Sequence, residues 1–266
     1  MTHSIHELIL KVENVNLHYG DKQILRDINF DIHNIKRPNM EQGQVVSLIG
    51  RSGIGKTQLF KILSGLMRPT SGKVSIDVDQ HPVIPGEVGI VPQNYILFNH
   101  RTIYHNLLIG LSHPDNKLSG KEKNDLINEY AGSFDLTDHL KKYPLQLSGG
   151  QRQRVSIIQQ VLTGNKFILL DEPFSGLDVL MVDKVVNLLL KISTLNEFNT
   201  LIVVSHDIEN ALAISDTAFV LACKGDSKGA TITEKIDLIA HDFAWNPQIR
   251  ENKAFQELVS EIKYKL

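Results

Sequence analysis

Apolar and polar residues follow two different spacings along this chain, and the spacings predict strands interleaved with helices. Near the start, "LILKVENVNLHYG" and "QILRDINFDI" mix β-branched and polar residues in near alternation, which predicts two antiparallel strands joined at Gly20 and Asp21. Other runs are shorter, and several are almost entirely apolar, as expected of buried strands. The predicted short strands are "QVVSLIG", "GKVSIDV", "EVGIVPQ", "FILLDEP", "TLIVVSH" and "DTAFVLAC".

Helical spacing, with apolar residues three or four positions apart, appears first in "KTQLFKILSGL", where Gly65 predicts the helix end. The same spacing dominates between residues 101 and 163 and returns over 182–192 and in the final "KAFQELVSEIKYKL". The polar stretch "HNIKRPNMEQG" at 33–43 contains Pro38 and predicts a loop. The predicted helices between 101 and 163 are "TIYHNLLIGL", "KEKNDLINEYAGSF" and "GQRQRVSIIQQVL".

Buried strands that alternate with helices predict an α/β fold with a mainly parallel sheet. We expect one domain over residues 1–266, with an N-terminal antiparallel β subdomain. Its core would take in about residues 1–92 and 164–230, an α-helical subdomain would be inserted over 93–163, and a helical tail would cover 231–266.

Composition limits the possible partners and the compartment. With 28 Lys and Arg residues against 30 Asp and Glu residues, the chain has no overall attraction for nucleic acid, which we do not expect as a partner. The single cysteine, Cys223, lies in apolar "AFVLAC", which predicts a buried strand position and favours a reducing compartment. No run approaches the roughly 18 apolar residues of a membrane-spanning helix, so we expect a soluble cytoplasmic protein.

A phosphate-binding pattern lies between a predicted strand and a predicted helix. "GRSGIGKT" at 50–57 matches G-x-x-x-x-G-K-[ST], in which glycines let backbone N–H groups converge on phosphates. Lys56 adds a positive charge and the Thr57 hydroxyl can ligate Mg²⁺. The alternative, a glycine turn with a surface lysine, does not account for the strand, loop and helix order, so the pattern predicts a P-loop NTPase core. The predicted nucleotide-binding residues here are Gly50, Arg51, Ser52, Gly53, Ile54, Gly55, Lys56, Thr57 and Gln58.

Two carboxylates follow the apolar run "FILL". Asp171 would lie at the carboxyl edge of the sheet, where a P-loop enzyme holds Mg²⁺, and Glu172 can activate water. By themselves, two acidic residues after a strand equally fit an ordinary helix start. With the phosphate loop upstream they favour hydrolysis over transfer to an acceptor.

His206 and Gln93 also follow predicted strands. Parallel neighbouring strands would bring His206 and Asp171 to one edge, where His206 could donate to a γ-phosphate oxygen or position water. A structural role is the alternative for this histidine. Gln93 could reach Mg²⁺ or water through its amide, although glutamine is common on surfaces.

A second phosphate-binding feature occurs in "PLQLSGGQRQR" at 144–154. Ser148, Gly149 and Gly150 precede a basic helix, and the start of a helix presents free N–H groups and the positive end of the dipole. A flexible linker is the alternative, which the helical pattern that follows disfavours. The residues alone leave open whose phosphate this turn binds.

Taken together and in this order, "GRSGIGKT", "VPQ", "LSGGQRQR", "ILLDEP", "SGLD" and "SHD" resemble the ATP-binding cassette (ABC) ATPases, the nucleotide-binding subunits of ABC transporters. The resemblance covers about residues 8–225, and "LSGGQ" followed by "LLDEP" is highly specific to the family. It implies ATP and Mg²⁺ as cofactors and a head-to-tail pair of cassettes, in which Ser148, Gly149, Gly150 and Gln151 cap the ATP bound by the partner.

The resemblance also implies individual roles. Tyr19 would stack on adenine, Gln93 would couple the site to the membrane subunit and join Thr57 and Asp171 at the metal, and Asp178 in "SGLD" would link the two sites. Asp171 would be the metal-side aspartate, Glu172 the catalytic glutamate and His206 the γ-phosphate histidine. The implied catalytic residues are therefore Glu172, His206 and Gln93.

The implied function is an ATPase that powers an ABC transporter through ATP-driven closure of its dimer on permease subunits at the inner face of the membrane. The sequence is most similar to bacterial importer cassettes of the nitrate, sulfonate or taurine type, which work with an extracytoplasmic substrate-binding protein. The alternatives are a soluble ABC-type ATPase without a permease and a P-loop kinase, which would leave "LSGGQ" without a role.

Overall fold

The computed structural model describes residues 4–36, 43–113, 116–176, 179–193, 200–225, 228–244, 246 and 248–266. Its strands are β1 (Ser4–Tyr19), β2 (Lys22–Lys36), β3 (Gln44–Ile49), β4 (Ser71–Ile76), β5 (His81–Pro82), β6 (Val88–Val91), β7 (Phe167–Asp171), β8 (Thr200–Ser205), β9 (Thr217–Cys223) and β10 (Ala230–Asp237). Its α-helices are α1 (Lys56–Leu63), α2 (Ile103–Gly110), α3 (Gly120–Ser133), α4 (Gly149–Val161), α5 (Val179–Ser193), α6 (Ile208–Ile214) and α7 (Lys253–Lys265).

The strands form one mixed sheet in the order β5-β4-β1-β2-β10-β9-β3-β8-β7-β6. The last five strands of this order are parallel, whereas β1, β2, β4 and β5 pair antiparallel at the other end. This arrangement confirms the predicted α/β fold with its N-terminal antiparallel strands. It also brings the carboxyl ends of β3, β7 and β8 side by side, because these strands are adjacent and run in the same direction.

Both faces of the sheet are covered by apolar side chains. Along β3, Val45 and Ile49 belong to a cluster that includes residues of α2 to α7, and Val46 and Leu48 belong to the cluster that includes β1, β2 and α1. Successive side chains of a strand point to opposite faces, so a strand that is buried on both faces is mostly apolar. This explains why "QVVSLI" has no polar alternation, and its two polar residues, Gln44 and Ser47, are paired with Thr200 and Ser215.

The helix predictions between residues 101 and 163 are confirmed to within about one residue, inside the usual uncertainty of helix ends. Each of these three helices begins after a residue whose hydroxyl accepts a hydrogen bond from a first-turn N–H group. These residues are Thr102, Ser119 and Ser148. Helix α1 ends at Leu63, close to the predicted stop at Gly65, which adopts a left-handed φ of 73°. Local capping therefore sets these helix starts.

The predicted loop at 33–43 is wrong for its first four residues, because β2 continues to Lys36. Ile32 and Asn34 are buried while His33 is partly exposed, and Asn34 donates to the Glu7 carboxylate on the paired strand β1. Buried and partly exposed residues thus alternate in this segment with the two-residue period of a strand. Residues 37–42 lie outside the described part of the chain.

Two further expectations near the end of the chain are wrong. Ala230–Asp237 is strand β10, paired antiparallel with β9, so the tail from 231 is not helical throughout and its α-helix begins at Lys253. Cys223 is exposed, because it is the last residue of β9 and follows the buried segment 218–221. In the described ranges, no helix is long and apolar enough to cross a bilayer.

Candidate active site

The loop between β3 and α1 requires glycine at three positions. Gly53 and Gly55 have φ values of 77° and 116°, which side-chain-bearing residues rarely adopt. A Cβ atom on Gly50 would lie 2.5 Å from the carbonyl oxygen of Leu221. The predicted phosphate loop therefore has a close-packed backbone that only glycine permits at these positions, and the N–H groups of Gly50 and Ile54 donate to the carbonyls of Ser205 and Arg51 at 3.3 Å.

The Lys56 side chain lies under this loop and is almost completely buried. Its Nζ atom donates to the carbonyl oxygens of Gly50 at 2.9 Å and Arg51 at 3.0 Å. It also lies 3.3 Å from Oε1 of Glu172. A buried ammonium group needs such partners, and these keep its charge at the mouth of the loop. Thr57, the next residue in α1, is exposed.

Asp171 and Glu172 end β7 beside the end of β8. Asp171 is paired with Val204, and the N–H group of Glu172 donates to the Val204 carbonyl at 2.8 Å. Glu172 then turns away with a φ of 51°, in the left-handed region that is uncommon for residues other than glycine. The turn directs the two adjacent carboxylates into different surroundings.

The Glu172 carboxylate is held by the end of β8. Its Oε2 atom lies 2.7 Å from Nδ1 of His206 and accepts from the His206 N–H at 3.1 Å and the Ser205 hydroxyl at 3.3 Å. The structure thus places His206 at the same sheet edge as Asp171, as the parallel neighbours predicted, and joins its side chain to Glu172. Together with Lys56, these groups form one polar cluster at the carboxyl edge of the sheet.

Asp171 has a different environment. Its Oδ1 atom is buried and has no hydrogen-bond partner among the described residues. Burial, followed by the negative charge of Glu172, raises the pKa of the Asp171 carboxyl above its ordinary value. A buried acceptor without a donor fits a cation.

The donor set fits Mg²⁺ in particular. No group of three or more His, Cys, Asp or Glu side chains in the described ranges could enclose a metal. Mg²⁺ is usually bound by one or two protein oxygens together with water and phosphate oxygens. The predicted pair, Asp171 and the Thr57 hydroxyl, has this chemistry, and its contact with a metal stays a prediction.

Gln93 lies two residues beyond the end of β6 and is exposed. Its Nε2 atom donates to the hydroxyl of Ser175 at 3.1 Å, and the Ser175 N–H group donates to the carbonyl of Glu172. Gln93 is therefore placed against the loop that follows Glu172. Its predicted contact with a metal or with water stays a prediction.

The second predicted phosphate-binding feature, the turn at 148–150, is well formed. It lies apart from the phosphate loop at 50–57. Ser148 caps α4 by accepting from the N–H group of Gln151, whose side chain in turn accepts from the Ser148 N–H. Ser148 and Gly149 are exposed, and the remaining hydrogen bond of Gln151 goes to His139. Within the described part of the chain, none of these bonds goes to the loop at 50–57. Gly150 is buried, so Ser148 and Gly149 are the residues of this turn that face outward.

Tyr19 ends β1 with a half-exposed ring whose hydroxyl lies 3.7 Å from the sulfur of Met67. Asp178 lies outside the described residues. The sequence interpretation missed Ser175 and Ser205, which bond to Gln93 and Glu172. Their positions in "DEPFSG" and "VSHD", next to predicted residues, were the available signal.

The sequence model of the family described as ABC transporter matches residues 33–175, which is more than half of the chain. A sulfate/thiosulfate import ATP-binding protein, CysA from Pseudomonas aeruginosa, is 34% identical over 218 residues, covering 80% of this chain and 63% of CysA. The chain thus spans less than two thirds of that relative's length.

Two solved structures have the same fold. The cbiO1 protein from Clostridium perfringens, described as part of the ABC transporter complex cbiONQ, has a TM-score of 0.73 and 25% identity, with 98% of this chain and 96% of cbiO1 covered. The ATP-binding cassette MJ0796, in a dimeric post-hydrolysis state bound to ADP and Pi, has a TM-score of 0.67 and 25% identity. That match covers 86% of this chain and 99% of MJ0796.

Proposed function

Because the chain belongs to the ABC transporter family, we propose that it is an ATP-hydrolysing subunit that powers a transporter. The observation that carries this proposal is the cluster of Lys56, Glu172 and His206 beside the phosphate loop, where a phosphate-binding cation, a base and a histidine meet at one sheet edge. The cluster contains the groups that water activation and charge neutralisation require.

ATP binds with its phosphates on the loop at 50–58. The backbone N–H groups of this loop and the Lys56 ammonium neutralise the phosphate charge, and the exposed ring of Tyr19 stacks on adenine. Asp171 and Thr57, together with the Gln93 amide, would hold Mg²⁺, which would supply positive charge to the phosphate oxygens.

Glu172 acts as the general base. Its carboxylate contacts Lys56 and His206, and bound phosphate would compete for both of these partners. Glu172 then accepts a proton from water as the water oxygen bonds to the γ-phosphorus and the bond to the bridging oxygen breaks. His206 donates to a γ-phosphate oxygen, which stabilises the charge that develops there.

The turn formed by Ser148, Gly149 and Gly150 binds the γ-phosphate held by a partner cassette. The exposure of Ser148 and Gly149 at the start of α4 supports this role, as does the dimeric state of MJ0796. ATP is then an interface ligand, so binding favours the closed dimer and hydrolysis weakens it. Asp178 would link the two sites.

The cassette pair works on transmembrane permease subunits at the cytoplasmic face of the membrane. CysA is named as an import protein and cbiO1 as part of a transporter complex, which supports a permease partner and import. An importer would also use an extracytoplasmic binding protein. The nitrate, sulfonate or taurine class of cargo stays a prediction.

Two measurements test the proposal. The purified protein should release inorganic phosphate from ATP only when Mg²⁺ is present; transfer to an acceptor without phosphate release would support a kinase instead. After expression at native level, detergent extracts should contain a polytopic membrane protein bound to the chain. Its consistent absence would favour an ATPase without a permease.

A further inference from the structure

The side chain of Gln153 joins the first turns of α4 to the loop that follows Glu172. Gln153 is fully buried, and its Nε2 atom donates to the carbonyl oxygen of Pro173 at 2.8 Å. Its Oε1 atom is buried as well and has no partner among the described residues. One half of this amide therefore makes a specific bond while the other half is left unsatisfied.

An apolar side chain, such as Val155, Ile157 and Ile158 present in the same helix, would avoid the unpaired Oε1 but would leave the buried Pro173 carbonyl without the donor that Nε2 supplies. The amide is therefore kept at the cost of one unpaired oxygen in order to make that bond. The bond to Pro173 is thus the feature to explain.

The position of Pro173 suggests what that role is. Pro173 follows Glu172 directly, and the loop between Glu172 and Ser175 is otherwise held by backbone bonds to Val204 and within the loop, and by Gln93. Gln153 adds a hydrogen bond between this loop and α4, beside the apolar packing of Phe174. Helix α4 begins at Gly149, immediately after its cap Ser148, so the residue that makes this bond lies only four residues beyond Gly149 of the turn at 148–150.

We propose that Gln153 is a positioning residue that couples the turn at 148–150 to Glu172 of the same chain. The inference rests on the proposed function, in which that turn binds the partner's nucleotide and Glu172 acts on the chain's own ATP. Occupancy of one site then fixes α4, and Gln153 sets the Glu172 loop of the other site. The two nucleotides are thereby coupled through one amide.

Gln159 provides a matched control. It lies in the same helix, is also buried, and donates through Nε2 at 2.8 Å to a backbone carbonyl. That carbonyl belongs to Asn106 in α2, so the bond connects two helices of the 93–163 block and does not reach the Glu172 loop. A substitution at Gln159 removes an equivalent buried bond without touching the proposed coupling.

The test compares Gln153→Met with Gln159→Met, since methionine retains the side-chain length and removes the donor. Gln153→Met should lower kcat by about 10- to 100-fold, the range expected when a catalytic group is slightly misplaced. Its turnover should lose positive cooperativity in ATP, while ATP affinity measured with Glu172→Gln also present stays within about twofold. Gln159→Met should keep the wild-type kcat and cooperativity.

A Gln153→Met protein with wild-type kcat and cooperativity would overturn the inference, and so would an equal loss in Gln159→Met. Both of these outcomes leave the proposed function standing, because the wild-type protein still turns over. If the wild-type protein released no phosphate, the proposed function would fail and the inference with it.

Gln153→Glu keeps the test decisive if the methionine variant does not fold. A protonated glutamic acid can still donate to the Pro173 carbonyl, and burial favours the protonated form. Turnover of Gln153→Glu relative to wild type should therefore recover as the pH is lowered, and Gln159→Glu should show no such recovery. A pH-independent loss in both variants would contradict the coupling role.

Discussion

Nδ1 of His206 lies 2.7 Å from Oε2 of Glu172, so the ends of two neighbouring parallel strands are joined through their side chains. Lys56 approaches the other oxygen of the same carboxylate at 3.3 Å. The proposed base is thus held by the two groups that are also proposed to bind phosphate. In the proposed mechanism ATP replaces Glu172 as their partner, which would link nucleotide binding to release of the base.

Substitution of Lys56 should weaken nucleotide binding and lower turnover. Lys56→Ala removes the buried cation beside the phosphate loop, and loss of one charged hydrogen-bonding partner should weaken ATP affinity by about 10- to 100-fold. Titration with a fluorescent ATP analogue and a phosphate-release assay measure both effects. Lys61→Ala is the control, because Lys61 lies on the exposed side of α1. Full turnover by Lys56→Ala would refute the phosphate-loop assignment.

Glu172→Gln should bind ATP, hydrolyse it slowly and accumulate as a dimer. The amide cannot accept the proton from water, while the loop and the turn at 148–150 remain intact. Size-exclusion chromatography with light scattering should show a dimer with ATP and Mg²⁺ and a monomer without them. Glu257→Gln, at an exposed position of α7, should not accumulate a dimer. A strictly monomeric Glu172→Gln protein at saturating ATP would contradict the two-site mechanism.

Asp171→Asn should stabilise the protein in the absence of Mg²⁺ and nucleotide. The pKa of Asp171 is raised mainly by burial, so its ionised form is disfavoured in the folded state. This group stabilises the fold only below its ordinary pKa, and that contribution is lost as the pH rises through the raised value. At pH 7.5 the variant should be more stable by no more than about 1 kcal/mol, allowing for solvent screening.

Thermal melts over a pH series measure this difference, which should shrink as the pH falls toward the ordinary carboxyl range. Mg²⁺ with a nonhydrolysable ATP analogue should raise the Tm of the wild type and not that of Asp171→Asn. A variant less stable than the wild type at pH 7.5 would show that the Asp171 carboxylate has a stabilising partner.

Gly149→Asp should leave the fold of the chain intact and prevent assembly of the dimer. No atom lies within 4 Å of a Cβ placed on Gly149, and an acid at the start of a helix is favourable by about 0.3–1 kcal/mol. In the dimer the same carboxylate would repel the partner's phosphate. With Glu172→Gln also present, we therefore expect an unchanged or higher Tm and no ATP-driven dimer.

Gly120→Asp is the matched control for this substitution. Gly120 is likewise the first residue of a helix, α3, follows a capping serine and has open space around a Cβ atom. Its carboxylate should leave the ATP-driven dimer intact. A normal dimer in Gly149→Asp would rule out a phosphate contact at that turn.

Short-range patterns predicted most of the elements of this fold. Thr102, Ser119 and Ser148 mark helix starts because the side chain that caps a helix lies within three residues of the N–H group it satisfies. The phosphate loop was predictable for the same reason, since its glycine conformations and its lysine lie within eight consecutive residues. The parallel order of the strands predicted that Asp171 and His206 lie at one edge of the sheet.

Long-range pairing explains the failures. "ATITEKID" becomes β10 because β9 offers it an antiparallel partner, and His33 to Lys36 stay in β2 because β1 extends beside them. Cys223 is exposed because β9 emerges from the core at that residue. None of these outcomes can be predicted from a few consecutive residues.

The sequence by itself determined the family, the α/β order, the helix starts and the identity of the residues at the sheet edge, because each depends on neighbours close in the chain. Only the tertiary structure decided that Lys56 and His206 both hold Glu172, that Asp171 keeps an unpartnered oxygen, and that Gln153 reaches Pro173. Those relations join atoms from separate elements, and their distances follow from how sheet and helices pack.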